Sequence, residues 1–281
     1  MNNRADLSET ATARHDRIAS PRAVAGVGRV IVWTGGSLWI GRQVGRVPAH
    51  AHHAIQISLA LEGRFRIRGD AWPEWRDIVA VVVQPDRRHE LDGCGAPIAT
   101  IFVEPNSMQG VALRTRFDGH DVAVLDAAEC ERAVAAVRAH YAAGATDASL
   151  AQCARGAICT IAGDPARAPA SDPRITAALA WMRGRLTTPL RLEDVAAAVH
   201  LSPGRFRHLF VAQTGTSFRA WLMWARAEAA VEAATHGMSW TEAALHAGFA
   251  DAAHFTRTCR RVFGIAPSML VFEKSGAPPS I

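Results

Sequence analysis

The 281 residues are 49% hydrophobic and 20% charged, enough apolar material for two modest folded domains and too much for a chain that stays disordered. No apolar run approaches the roughly 18 residues that cross a bilayer, and the polar opening MNNRADLSETATARHDR lacks a signal peptide's hydrophobic segment, so a cytoplasmic location without a membrane partner is expected. The net charge of +5 is one-sided: residues 1–172 hold 19 basic against 19 acidic side chains and residues 173–281 hold 12 against 7, which suits a polyanionic partner for the second part alone.

Along the chain, residues 24–118 predict short strands at 29–33, 37–43, 55–61, 64–68, 78–83 and 99–103, where β-branched and aromatic residues alternate with Gly, Pro and Asp turns. That rhythm points to an antiparallel sandwich or small barrel. Alanine-rich stretches at 127–143 and 148–161 carry apolar residues every three or four positions and predict two helices packed on the sheet or across an interface. The five cysteines, at 94, 130, 153, 159 and 259, have no metal-type spacing and read as reduced thiols. Prolines and glycine between 162 and 172 mark a linker, dividing the chain into domains at 1–161 and 173–281.

Beyond the linker the pattern is helical. Asp172 and Pro173 open a helix to 185 that buries Ile175, Leu179 and Met182. A first helix-turn-helix follows: 192–199 offers small Ala196 and Ala197 for close approach, then Ser202 and Pro203 start a helix with Phe206, Leu209 and Phe210 inside and Arg205, Arg207 and His208 outside. The arrangement returns at 239–263, with a capping box at Ser239 and Glu242, a turn at Gly248 and a cap at Asp251. Its last helix turns Phe255, Cys259, Val262 and Phe263 inward and His254, Thr256, Arg257 and Arg260 outward. The helix predicted between the units, 217–236, is about 30 Å long, close to the roughly 34–36 Å of one DNA turn. One such unit is also a common way to pack two helices; two basic units at this spacing favour double-stranded DNA.

The residues LEDVAAAVHLSPGRFRHLFVAQTGTSFRAWL, WARAEAA and AALHAGFADAAHFTRTCRRVFGIAPSML resemble the DNA-binding domain of the AraC/XylS family of transcription regulators over 173–270. The GF-x-D-x-x-x-F-x-R run followed by FG-x-x-P is the most specific part. The resemblance implies a seven-helix domain and promoter recognition by both units. It further implies activation or repression without covalent chemistry, a homodimer, and RNA polymerase as a further partner. Phe206, His208, Ala227 and Cys259 depart from the family's usual residues, which bears on contact strength more than on fold.

The first domain is similar to the family's cupin-like effector domains through HAHHAIQISLALEG and VVVQPDRRHEL. This implies an α+β chain: an antiparallel β-barrel with packed helices, then an all-α domain with two helix-turn-helix units. It also implies a small-molecule effector near His50, His52, His53, Gln56 and His89, with Trp33, Trp39, Trp72 and Trp75 as candidate pocket walls. His50, His52 and His89 have the chemistry of a divalent-metal site, imidazole suiting zinc, iron, nickel or copper. Gln56 stands where a metal-dependent cupin has glutamate, and no nucleophile or acid/base pair accompanies it. A regulator with no catalytic residue and no required cofactor is therefore expected, and a cupin-type metal enzyme with a DNA-binding appendage is the alternative.

Overall fold

Largely apolar residues over 55–60 and 98–103 put one row of side chains on each face of a sheet, and the computed structural model, which describes residues 26–163, 171–273 and 275, shows both faces covered. The larger sheet has seven strands: β1 (Gly26–Trp33), β2 (Gly36–Gln43), β4 (Ile55–Ala60), β7 (Ala80–Val83), β9 (Pro97–Val103), β10 (Val122–Val124) and β11 (Leu270–Phe272). Their order is β10-β7-β4-β9-β2-β1-β11, antiparallel except where β11 lies parallel to β1. The smaller sheet runs β3 (Arg46–His50), β8 (His89–Asp92), β5 (Phe65–Gly69) and β6 (Arg76–Ile78).

One face of the larger sheet, through Ile55, Ile57, Leu59, Val82 and Ile101, packs on α2 (Ala127–Ala142) and α3 (Asp147–Ala162), with α1 (Met108–Arg116) beside them. Arg29, buried in β1, donates to the Ala145 carbonyl at 2.6 Å and pairs with Asp147, fixing α3 to the sheet. The other face meets the smaller sheet through Val81, Val83, Ile98 and Phe102 against Phe65, Ile67 and Leu91. Since both faces are covered, every residue of β4 is buried.

The strands do not close into the expected cupin-like barrel. Closure requires the first and last strands to hydrogen-bond, but among the described residues β10 and β11 end one sheet while β3 and β6 end the other, and no strand bridges the two. The outer edge of β1 is taken by Leu270–Phe272 from the far end of the chain. The α+β composition stands, and the cupin enzyme loses its architecture.

The carboxy-terminal helices are α4 (Pro173–Arg183), α5 (Leu192–Ala198), α6 (Pro203–Thr214), α7 (Phe218–Thr235), α8 (Trp240–His246) and α9 (Ala252–Val262). Six α-helices and a 3-10 turn at Pro267–Met269 are described where the resemblance implied seven helices. The expected caps are in place: the Asp172 carboxylate accepts from the Arg174 N–H at 2.9 Å, and Ser239 and Glu242 complete a capping box. The core of these helices is continuous with the space between the sheets. Most of the expected linker, 164–170, lies outside the described residues.

Candidate nucleic-acid interface and histidine cluster

Each helix-turn-helix is held by a small-residue contact and an aromatic inner face. In the first, Val195 and Ala196 of α5 pack under Phe206 and Phe210 of α6, whose rings lie 5.4 Å apart. The Ser202 hydroxyl accepts from the Arg205 N–H at 3.3 Å and starts α6, leaving Arg205, Arg207 and His208 exposed. In the second, Ala243 and Ala244 of α8 are buried against Phe255 and Cys259 of α9. Cys259 is small for this position, and the buried rings of Phe255 and Phe263 flank it in sequence.

The turn between α8 and α9 requires glycine. Gly248 has φ +84°, and a Cβ there would stand 2.4 Å from the Leu186 carbonyl oxygen. That oxygen also accepts from Arg226 Nε at 2.9 Å, so one contact ties α7 to the segment before α5. Asp251 caps α9, its carboxylate accepting from the His254 N–H at 2.6 Å. Arg257 and Arg260 are exposed; His254 and Thr256 are half-buried, and the Thr256 hydroxyl donates back to the Ala252 carbonyl at 2.8 Å. The connecting α7 spans 18 residues, about 27 Å.

Sequence reasoning missed two further exposed cations, Arg219 and Arg261. They line a cleft of about 830 Å³ with His254 and Arg257 on one side and His50, His52 and His53 on the other. Arg261 was legible, standing one helical turn after Arg257; Arg219, in the first turn of α7, gave no such signal.

His50, His52, His89 and Gln56 come together, and His50 and His52 of this group line that cleft. A register shift in β3 between Val47 and His50 sets His50 opposite His89 of β8. Their rings are 4.4 Å apart, with the His52 ring 5.2 Å from His89. All three are buried, and burial pushes each below the ordinary histidine range, His50 to about 3, so they are neutral at pH 7. His53 is not part of this group. It is buried, neither ring nitrogen has a hydrogen-bond partner among the described residues, and burial with the nearby His52, Arg183 and Arg114 lowers it to about 3. Of the tryptophans, Trp39 borders a cavity of about 100 Å³ that reaches His50 and Gln56. Trp75 instead lies beneath Arg46, Arg66 and Arg68, Trp72 beneath Arg76, and Trp33 beneath Arg155.

The cluster touches the helices directly. The His52 ring is 5.5 Å from Trp224 of α7, and Trp224 is 5.2 Å from Phe102 and 5.0 Å from Phe263. Gly264, at φ +75°, lets the chain after α9 pass so close that a Cβ would lie 2.8 Å from His50 Nδ1. On the other side of this seam Arg183 pairs with Glu104, and Glu228 of α7 is hydrogen-bonded to Ser37. Burial, with Glu104 nearby, lifts the Glu228 carboxyl to about 7 from its ordinary 4.5. The folded chain therefore keeps a proton that the unfolded chain gives up near pH 4.5. This contribution to stability is complete below about 4.5 and is lost as pH rises through 7. Glu228→Gln is expected to stabilise the chain by on the order of 1–2 kcal/mol at pH 8 and to change little at pH 4.5. Thermal melts at both pH values check this, and the same offset at both would rule it out.

Residues 195–271 match the family model described as a helix-turn-helix domain. The regulatory protein PocR of Salmonella typhimurium is 32% identical over 114 residues, 39% of this chain and 37% of that protein. The transcriptional activator NphR of a Rhodococcus species is 41% identical over 81 residues, 28% of this chain and 24% of that protein. The chain thus spans well under half the length of these relatives. ToxT from Vibrio cholerae, solved apo and with a bound unsaturated fatty acid, shares the fold across both parts: the apo structure has a TM-score of 0.57 at 12% identity, covering 84% of this chain and 96% of ToxT. No described helix is long and apolar enough to cross a membrane. The carboxy-terminal helices from residue 195 onward are thus a helix-turn-helix domain.

Proposed function

We propose that the chain is a sequence-specific transcription regulator whose two helix-turn-helix units read a promoter while the sheet domain receives a small-molecule effector. The observation that carries this reading is the repetition of a capped helix with a buried aromatic side and an exposed cationic side, at α6 and again at α9, within the stretch that matches the helix-turn-helix family. Arg205, Arg207, Arg257 and Arg260 suit guanine edges or phosphates, and His208, His254 and Thr256 suit shorter polar contacts. The names of PocR, a regulatory protein, and NphR, a transcriptional activator, support a role in regulation, and the fatty acid held by ToxT supports control by a ligand. A ligand at His50, His52, Gln56 and His89 would act through Trp224 and Gly264, provided it binds one packing of the helices better than another. His53, which lines the cleft beside His50 and His52, and the homodimer and RNA polymerase contacts implied by the resemblance belong to the same reading.

Selection of duplexes from a random library by the full-length protein tests this. Specific sites are expected to be enriched, with affinity at least 10³-fold above scrambled duplex and falling steeply with salt as phosphate contacts release counterions. Equal affinity for selected and scrambled duplexes across salt concentrations would reject specific recognition.

A further inference from the structure

Three imidazoles in the cluster are oriented in the same way by their own backbone. His50 Nδ1 lies 2.8 Å from the Pro48 carbonyl oxygen, His52 Nδ1 2.8 Å from that of Ala54, and His89 Nδ1 2.9 Å from that of Arg87. A carbonyl oxygen only accepts, so each Nδ1 carries the hydrogen and each Nε2 presents a lone pair. The Gln56 side chain adds another acceptor: its Oε1 lies 2.9 Å from His52 Nε2 and 3.1 Å from His89 Nε2, while its amide nitrogen donates to Ser58 Oγ at 3.0 Å. Lone pairs therefore face one another with no hydrogen between them, in a place where unmet polar atoms are costly. Rotating the amide would give hydrogens to two imidazoles and none to His50.

We propose that His50, His52 and His89, with Gln56 beside them, bind a divalent transition-metal ion of the zinc, cobalt or nickel type. The three histidine ligand atoms lie within 4.8 Å of one another. A tetrahedral ion with bonds of about 2.0–2.1 Å holds its ligand atoms about 3.3 Å apart, so closure takes shifts of about an ångström. The Nδ1–H to carbonyl bonds are the outer support that histidine ligands require. Neutral imidazoles select such ions over magnesium or calcium, which take oxygen ligands. The cleft that His50 and His52 line gives an entry path. Through Trp224 and Gly264 the ion would also bias the DNA-binding helices, and this consequence alone rests on the regulator reading.

Full-length protein stripped with a chelator and titrated with cobalt(II) chloride, with zinc as competitor, tests the site. One equivalent of cobalt with the visible absorption of nitrogen-bound tetrahedral metal is expected. Loss of an outer support costs roughly 10–100-fold in affinity, so His52→Ala or His89→Ala should cost more than about 100-fold, while Gln56→Glu, which supplies a carboxylate, should tighten binding about 10-fold or more. Circular dichroism establishes that each variant is folded; if the alanine variants unfold, Gln56→Glu decides alone. No cobalt spectrum, equal binding by folded alanine variants, or no gain with Gln56→Glu would overturn the site. Zinc should then change affinity for a selected duplex at least about 5-fold relative to stripped protein; an unchanged affinity overturns the coupling. Cobalt uptake by a chain that recognises no duplex would sink the regulator reading and leave the site standing.

Discussion

Replacing Arg257 and Arg260 together by alanine is expected to weaken binding to a selected operator by about 30-fold to 10⁴-fold while leaving the melting temperature within a degree or two. Both guanidinium groups are exposed on α9, and neither forms an ion pair or side-chain hydrogen bond with the described residues. Each arginine set on a base edge contributes roughly 1–3 kcal/mol of discrimination, and two together give that range. Arg205→Ala with Arg207→Ala should cause a comparable loss at the other end of the operator. Fluorescence anisotropy with the selected and base-substituted duplexes separates the roles. An arginine that reads a base loses preference at one position, whereas one that holds phosphate weakens all duplexes alike and lowers the salt slope by about one. Unchanged affinity in both pairs would mean that the exposed sides of α6 and α9 do not face DNA.

The second large effect is on stability. Trp224→Ala should cost about 3–5 kcal/mol, because this nearly buried ring fills the space between His52, Phe102 and Phe263 and the surrounding strands cannot collapse into the gap. Trp224→Phe keeps an aromatic ring and should cost less than half as much. Urea titration followed by circular dichroism measures both. A loss below about 1 kcal/mol for the alanine variant would show that the helices do not depend on this seam.

Helices were legible in the sequence wherever apolar spacing and capping residues agreed. The helix predicted at 217–236 is α7 at Phe218–Thr235, and Asp172, Ser202, Ser239 and Asp251 all cap the helices they were expected to cap. Local chemistry decides such elements. The strands that escaped notice depend on partners remote in the chain. β3 contains Pro48, tolerable because β3 is an edge strand. β8 reads as a polar loop, His-Glu-Leu-Asp, until it lies between β3 and β5. The meeting of His50 with His89 rests on that pairing and on the shift in β3, so the residue types could be named from the sequence but not their separation. Barrel closure was misjudged for the same reason: alternation shows which residues face inward, not which edges join.

The parallel pairing of Leu270–Phe272 with β1 also bears on how the protein is made. β1 leaves the ribosome with β2 soon available on one side, but its other edge stays open until Leu270–Phe272 has been synthesised. The clasp then sets through the Glu273 N–H, which donates to the Gly28 carbonyl at 2.8 Å, and through the Tyr141 hydroxyl, which donates to the Glu273 carboxylate at 2.9 Å. An open edge is a template for pairing with another nascent chain. Shortening the carboxy terminus past residue 270 would therefore reach beyond the DNA-binding helices, leaving that edge uncovered for the lifetime of the protein and inviting aggregation of the sheet domain.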